Sequence, residues 1–194
     1  NAPLVYFANP DNPMGSWWDA ESVIAFARTL PETCLLVLDE AYGETAPAGS
    51  IPPVDAFIDR PNIIRTRTFS KAYGLAGLRC GYAVGALGLV RQLGKALLPY
   101  HVNAFTLMAA KTVYENKELY KERIKTIREE RDKFADCLKA LGFKVWPTAT
   151  NFVTFRAEGE LMQQLAKAYA AKFSERLPEQ AAGGKLIFKY LLAN

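Results

Sequence analysis

The run Cys34-Leu35-Leu36-Val37-Leu38, closed by Asp39 and Glu40, narrows the folds open to this chain more than any other stretch. Its apolar residues do not alternate with polar ones, so both faces ask for cover, as in a central strand of a parallel sheet. Parallel strands need crossovers, and the flanks supply them. Leu4 to Ala8 is a short apolar run closed by Asn and Pro, which suits a buried strand ending in a loop. Between the two runs, Asp19 to Leu30 carries Val23, Ile24, Phe26, Ala27 and Leu30 at helical spacing, and Pro31 stops it. Residues 43 to 62 are rich in Gly and Pro and read as a loop with one helical turn. Ile63 to Phe69 and Gly81 to Val84 read as further strands. Strand, helix, strand, loop, strand is the pattern of an α/β layered domain.

From Leu87 the character changes. Leu89 to Leu98 and Ala104 to Tyr114 read as helices separated by a break at Pro99 to Asn103. Lys117 to Leu141 is expected to be one long helix, with Tyr120, Ile124, Ile127, Phe134, Leu138 and Leu141 tracing its apolar stripe. Its other face is highly charged and is read as solvated rather than as a partner surface. Gly142 caps it. Asn151 to Arg156 and Leu186 to Leu191 read as strands, and Leu161 to Leu177 as a helix. The expected division is a large α/β domain over 1–100 and a smaller α+β domain, joined through the long helix, over 101–194.

With half of its 194 residues apolar and 23% charged, the chain can bury a full core. A net charge of +4, with no basic patch interleaved with aromatics, argues against a nucleic-acid partner. No stretch approaches the roughly 18 consecutive apolar residues of a membrane span. Cys34, Cys80 and Cys137 lie far apart without C-x-x-C spacing, so reduced core thiols in a cytoplasmic protein are expected rather than disulfides or zinc.

The chemistry concentrates in Thr68-Phe69-Ser70-Lys71-Ala72-Tyr73-Gly74-Leu75-Ala76-Gly77-Leu78-Arg79-Cys80-Gly81-Tyr82. Lysine directly after serine, with arginine eight residues later among glycines, suggests an amine nucleophile beside an anion pocket. Ligands of open α/β sheets sit outside the carboxyl ends of the strands. Asn12, Asp39 and Ser70-Lys71 each fall just after an expected strand, so one crevice can collect them. Alternatives stay open at every position. Lys71 and Arg79 could be surface charges, and Asp39 a turn or cap residue, with Glu40 the nearer surface carboxylate. Tyr42 could simply pack, and Asn12 could serve only its Asn-Pro turn. Asn9 is read as structural, and His101 as a loop residue near a substrate entrance.

Taken in order, Asn9-Pro10-Asp11-Asn12-Pro13-Met14-Gly15, Asp39-Glu40-Ala41-Tyr42 and the Ser70-Lys71 to Arg79 run resemble the class I/II aminotransferases, fold type I enzymes that use pyridoxal phosphate. Within them the chain is most similar to the histidinol-phosphate aminotransferases, from about Val5 to Phe155. The resemblance implies a three-layer, mainly parallel large domain, present here in part, and a longer enzyme of which this is the central and C-terminal portion. It implies Lys71 as the amine that takes the cofactor aldehyde and moves the substrate proton. Asp39 would face the pyridine nitrogen, Tyr42 and Asn12 the ring hydroxyl, and Ser70 and Arg79 the phosphate. It also suggests a cis Asn12–Pro13 bond. The implied reaction is amino transfer between a small amino donor, L-histidinol phosphate, and 2-oxoglutarate in a cytoplasmic homodimer, with Leu97-Leu98-Pro99-Tyr100 suited to the interface. Met14 stands where the family commonly has threonine. Its C-terminal substrate arginine, its phosphate loop and its ring-stacking aromatic have no counterpart here. Decarboxylation of an amino-acid phosphate and a catalytically inert fragment remain as competing readings.

Overall fold

The computed structural model describes residues 2–173. A four-stranded sheet runs in the order β1 (Leu4–Ala8), β2 (Leu35–Asp39), β3 (Ile63–Thr68), β4 (Gly81–Gly85). The first three strands are parallel and β4 is antiparallel to β3, so the sheet is mainly parallel, as expected of an α/β domain. Register places Ala8 beside Asp39 and Asp39 beside Thr66. The carboxyl ends of β1 and β2 are therefore level, and β3 runs two residues further.

The β1–β2 crossover is α1 (Ala20–Thr29). Asp19 caps it by accepting from the Ser22 amide at 2.8 Å, satisfying one of the orphan donors of its first turn. Val23 and Ala27 face the sheet and pack with Leu36, Leu38, Phe57 and Ile63. Each of the large aliphatic side chains buried there stabilises the layer by about 1.5–3 kcal/mol. Leu36 and Leu38 are fully buried, whereas Leu35 and Val37 on the opposite face remain half-exposed. Among the described residues β2 is thus covered on one face only, not on both as its unbroken apolar run suggests. The β2–β3 connection contains turns and no helical turn.

Beyond the sheet come α2 (Leu87–Gly94), α3 (Ala104–Glu115), a short 3-10 segment (Lys117–Tyr120) and α4 (Lys121–Ala140). The long helix expected from Lys117 therefore opens as a 3-10 turn. Gly142 ends it at φ +86°. Its apolar stripe is only partly used: Leu138 is buried, Ile124 and Ile127 half-buried, and Phe134 and Leu141 exposed. A small antiparallel pair, β5 (Lys144–Val145) with β6 (Phe155–Arg156), precedes α5 (Gly159–Phe173). Strand pairing within 151–156 is limited to Phe155–Arg156, and β5 was not anticipated. The expected strand at Leu186 to Leu191 and the end of the last helix lie outside the described residues. Cys34 and Cys80 are buried thiols as expected; Cys137 is exposed, because it lies on the solvent side of α4. Among the described residues no helix is long and apolar enough to cross a membrane.

Candidate active site

Three loops leave the carboxyl ends of β1, β2 and β3, and each delivers part of one constellation. After β1 the chain turns through Asn9 to Gly15, with cis bonds at Asn9–Pro10 and Asn12–Pro13. Asn9 is fully buried; its amide donates to the carbonyls of Trp18 and Ser50 and its oxygen accepts from the Trp18 amide. It is the structural clamp of the turn. Asn12 in turn donates through Nδ2 to the Tyr42 hydroxyl at 3.0 Å.

Tyr42 is buried, with its ring edge-on to Phe152. Lys71, on the β3–β4 connection, holds its ammonium 5.3 Å from the Tyr42 ring centroid, within reach of the ring's negative face. Asn12, Tyr42 and Lys71 thus form one contiguous group. Among the described residues no carboxylate is within ion-pair distance of Lys71. A half-buried lysine without a counter-charge, beside a tyrosine ring that Asn12 holds by its hydroxyl, is a candidate for covalent chemistry.

Asp39 ends β2. Its Oδ1 accepts from the Ala41 amide at 3.0 Å and the Thr66 hydroxyl at 3.2 Å, and its Oδ2 accepts from the Tyr6 hydroxyl. That hydrogen bond, then burial and the nearby carboxylate charge, push the Tyr6 phenol up to about 12. Ser70 precedes Lys71 and is half-buried, its amide donating to Thr68 Oγ1 at 3.0 Å. Arg79 is not brought into contact with the Lys71 group: it is exposed, sits at φ 52°, and donates to the carbonyl of Ala76 in its own turn. His101 is likewise exposed.

Glu40 is not the surface carboxylate it was expected to be. It is 1% exposed and receives Arg65 through Nε and Nη2 and Arg67 through Nε at 3.2 Å. A buried anion requires such partners, and alternation along β3 turns both arginines to one side. Further along, burial raises the pKa of Glu44 against the pull of Arg67, and burial pushes Tyr73 up to about 12.

The region after the long helix grips the same loops. Thr154 donates to the Pro13 carbonyl and the Ala149 amide to Gly15, both at 2.8 Å. Arg128 on α4 binds the carbonyls of Glu44, Thr45 and Ala46, and Thr45 donates to Ala149 at 2.9 Å. A cavity of about 350 Å³ beside the Asn12 loop is lined by Met14, Ser16, Trp17, Trp146 and Pro147. Sequence reasoning missed Tyr6, Thr66, Arg128 and the Ala149-Thr150 pair. Tyr6 was recoverable, because it lies two residues before Ala8, the partner of Asp39, and so shares its face. Nothing local marks Arg128. Among the described residues no group of acidic, Cys or His side chains could hold a metal.

A family model described as aminotransferase class I and II matches residues 1–181. Histidinol-phosphate aminotransferase 1 of Nitrosococcus oceani is 40% identical over 152 residues, covering 78% of this chain and 41% of its own. An aromatic amino acid aminotransferase of Nocardia farcinica is 36% identical over 190 residues, 96% of this chain and 50% of its own. Among solved structures, histidinol-phosphate aminotransferase from Sinorhizobium meliloti in complex with pyridoxal-5'-phosphate superposes with a TM-score of 0.80 at 40% identity, over 94% of this chain and 51% of that one. The chain spans about half the length of the relatives it matches, or less.

Proposed function

The chain belongs to aminotransferase class I and II, and from that premise we propose that it is part of a longer pyridoxal-phosphate transaminase. The observation that carries this reading is the Lys71 amine seated against the Asn12–Tyr42 pair, with Asp39 at the end of the neighbouring strand. The residues present fit the cofactor: an amine without a counter-charge, two hydrogen-bonding side chains beside it, and a carboxylate that no cation neutralises among the described residues.

When bound, the cofactor supplies an aldehyde that takes up the amino group and a ring that takes up electrons. Lys71 would hold the cofactor through its aldehyde, and its amine would serve as the general base for the Cα proton of the donor. Asn12 and Tyr42, already joined by a hydrogen bond, would orient the ring through its hydroxyl oxygen. Asp39 would stand opposite the pyridine nitrogen and favour its protonated form. Ser70 and Arg79 would hold the phosphate.

The proposed donor is L-histidinol phosphate with 2-oxoglutarate as acceptor, a step of histidine biosynthesis, in keeping with the relatives from N. oceani and S. meliloti. The N. farcinica relative favours a second donor class, an aromatic amino acid. The proposed enzyme is a cytoplasmic homodimer, with 1–100 belonging to the cofactor domain and 101–194 to the small domain.

Borohydride reduction of the cofactor-loaded protein should fix a phosphopyridoxyl group on the peptide containing Lys71, read by mass spectrometry, and Lys71→Ala should abolish it. Label on another lysine, or none, refutes the assignment. Turnover that depends on 2-oxoglutarate separates transamination from decarboxylation, and comparing the two donors separates the substrate classes.

A further inference from the structure

Asp39 is surrounded in an unusual way for a half-buried acid. An ionised carboxylate offers about four lone-pair positions. Three are filled here: the Ala41 amide and the Thr66 hydroxyl on Oδ1, and the Tyr6 hydroxyl on Oδ2. All three donors are neutral. Among the described residues no lysine, arginine or histidine reaches Asp39, whereas the neighbouring Glu40 is met by two arginines.

Tyr6, Asp39 and Thr66 occupy one face of the sheet, since Ala8 pairs with Asp39, Asp39 pairs with Thr66, and Tyr6 lies two residues before Ala8. Glu40 and its arginines belong to the other side, so the two acids do not share partners. On its own face Asp39 is a carboxylate with a set orientation and one acceptor position left.

Resting on the transaminase reading above, we propose that Tyr6 and Thr66 are positioning residues that lock the Asp39 carboxylate so that its one remaining lone pair on Oδ2 meets the protonated ring nitrogen of the cofactor. Both act through Asp39, and neither needs to touch the cofactor. The Tyr6 phenol stays protonated, and so stays a donor, throughout the neutral range because its pKa lies at about 12. Two hydroxyls that hold the carboxylate by hydrogen bonds remove its freedom to rotate away from the incoming donor.

The test uses the full-length protein freed of cofactor and titrated with pyridoxal phosphate or with its 1-deaza analogue, in which the ring nitrogen is a C–H. The unaltered protein should prefer pyridoxal phosphate. Tyr6→Phe keeps the ring and removes the hydroxyl; it should cut that preference about tenfold, the worth of one hydrogen bond to a charged group. Binding of the deaza analogue should stay within about twofold, because a carboxylate with no N–H to meet gains little from being aimed. Thr66→Val should behave like Tyr6→Phe, and Thr66→Ser should restore the preference. A merely structural role would weaken both ligands together, and that outcome overturns the proposal. A preference lost in Asp39→Asn but unchanged in Tyr6→Phe and Thr66→Val overturns it while leaving the transaminase reading intact. No preference in the unaltered protein overturns the role of Asp39 in that reading and this proposal with it.

Discussion

Glu40→Gln is the sharpest probe of what holds the site in place. Glu40 is 1% exposed and Arg65 has a side chain 8% exposed, so their contacts are made away from water. Arg65 Nε lies 3.1 Å from both carboxylate oxygens and its Nη2 lies 2.7 Å from Oε1; Arg67 Nε approaches Oε2 at 3.2 Å. Glutamine keeps the shape but has one acceptor oxygen and an NH₂, which must face one of the two guanidinium groups. The carboxylate charge that compensates Arg65 is lost as well. Breaking a buried pair in this way costs about 3–5 kcal/mol, and the retained oxygen argues for about 3 kcal/mol. With a urea m-value of about 2 kcal/mol/M, the unfolding midpoint should fall by roughly 1.5 M. Asp59→Asn is the control. Its partner Arg28 stands 3.3 Å away, with both side chains at least half exposed, so less than about 1 kcal/mol is expected. Should the Glu40 variant shift the midpoint no more than the Asp59 variant does, the argument from burial is wrong. A double replacement with Arg65→Met should cost less than the two single changes summed, because no unpaired charge is left behind.

Two further outcomes follow from the contacts between the small C-terminal region and the site loops. Gly15 sits at φ +79°, and a Cβ there would lie 2.2 Å from Thr148 Oγ1, so Gly15→Ala should destabilise by about 1–3 kcal/mol. Hydrogen exchange at the Ala149 amide, which donates to Gly15 at 2.8 Å, should accelerate; unchanged protection would refute the coupling. Arg128→Met strips bonds from the carbonyls of Glu44, Thr45 and Ala46 and should lower Tm by about 5 °C through a loss of about 2 kcal/mol. Lysine at the same position should recover little of it, since it has no planar fork.

The strands and helices were legible where the apolar period was clean. Leu4 to Ala8 and the α1 stripe read directly, and Asn12, Asp39 and Lys71 do lie at or just after the ends of β1, β2 and β3, where such sheets place ligands. Glu40 was misread for a physical reason: a charged residue at the end of a strand is ordinarily solvated, and its burial depends on Arg65 and Arg67, 25 and 27 residues away. Such pairing leaves no local signature. The same holds for Arg128, which reads as part of a solvated helix face while its head group reaches a loop 82 to 84 residues distant. Leu35 and Val37 mislead in the opposite sense. Their apolarity calls for a covering layer that the described residues do not supply.

These errors share an origin that explains how the site is built. The loops carrying Asn12, Tyr42 and Lys71 have little secondary structure, so their carbonyls and those of the neighbouring turns need partners from elsewhere. The structure meets that need with long side chains. Asn9 reaches Ser50, Arg65 reaches Pro52 and Pro53, Arg128 reaches Glu44 to Ala46, and Arg131 reaches Thr150. The Gly/Pro-rich stretch between β2 and β3, a long connection for a compact domain, is thereby fixed without a helix. Each of these donors satisfies carbonyls of an irregular loop, from the sheet, from α4 or, for Asn9, from the turn itself. Lys71 and Asp39 are left without counter-charges among the described residues because other cations and anions do the anchoring. The charges that anchor the loops, Glu40 with Arg65 and Arg67 and Glu44 with Arg67, are thus distinct from Lys71 and Asp39.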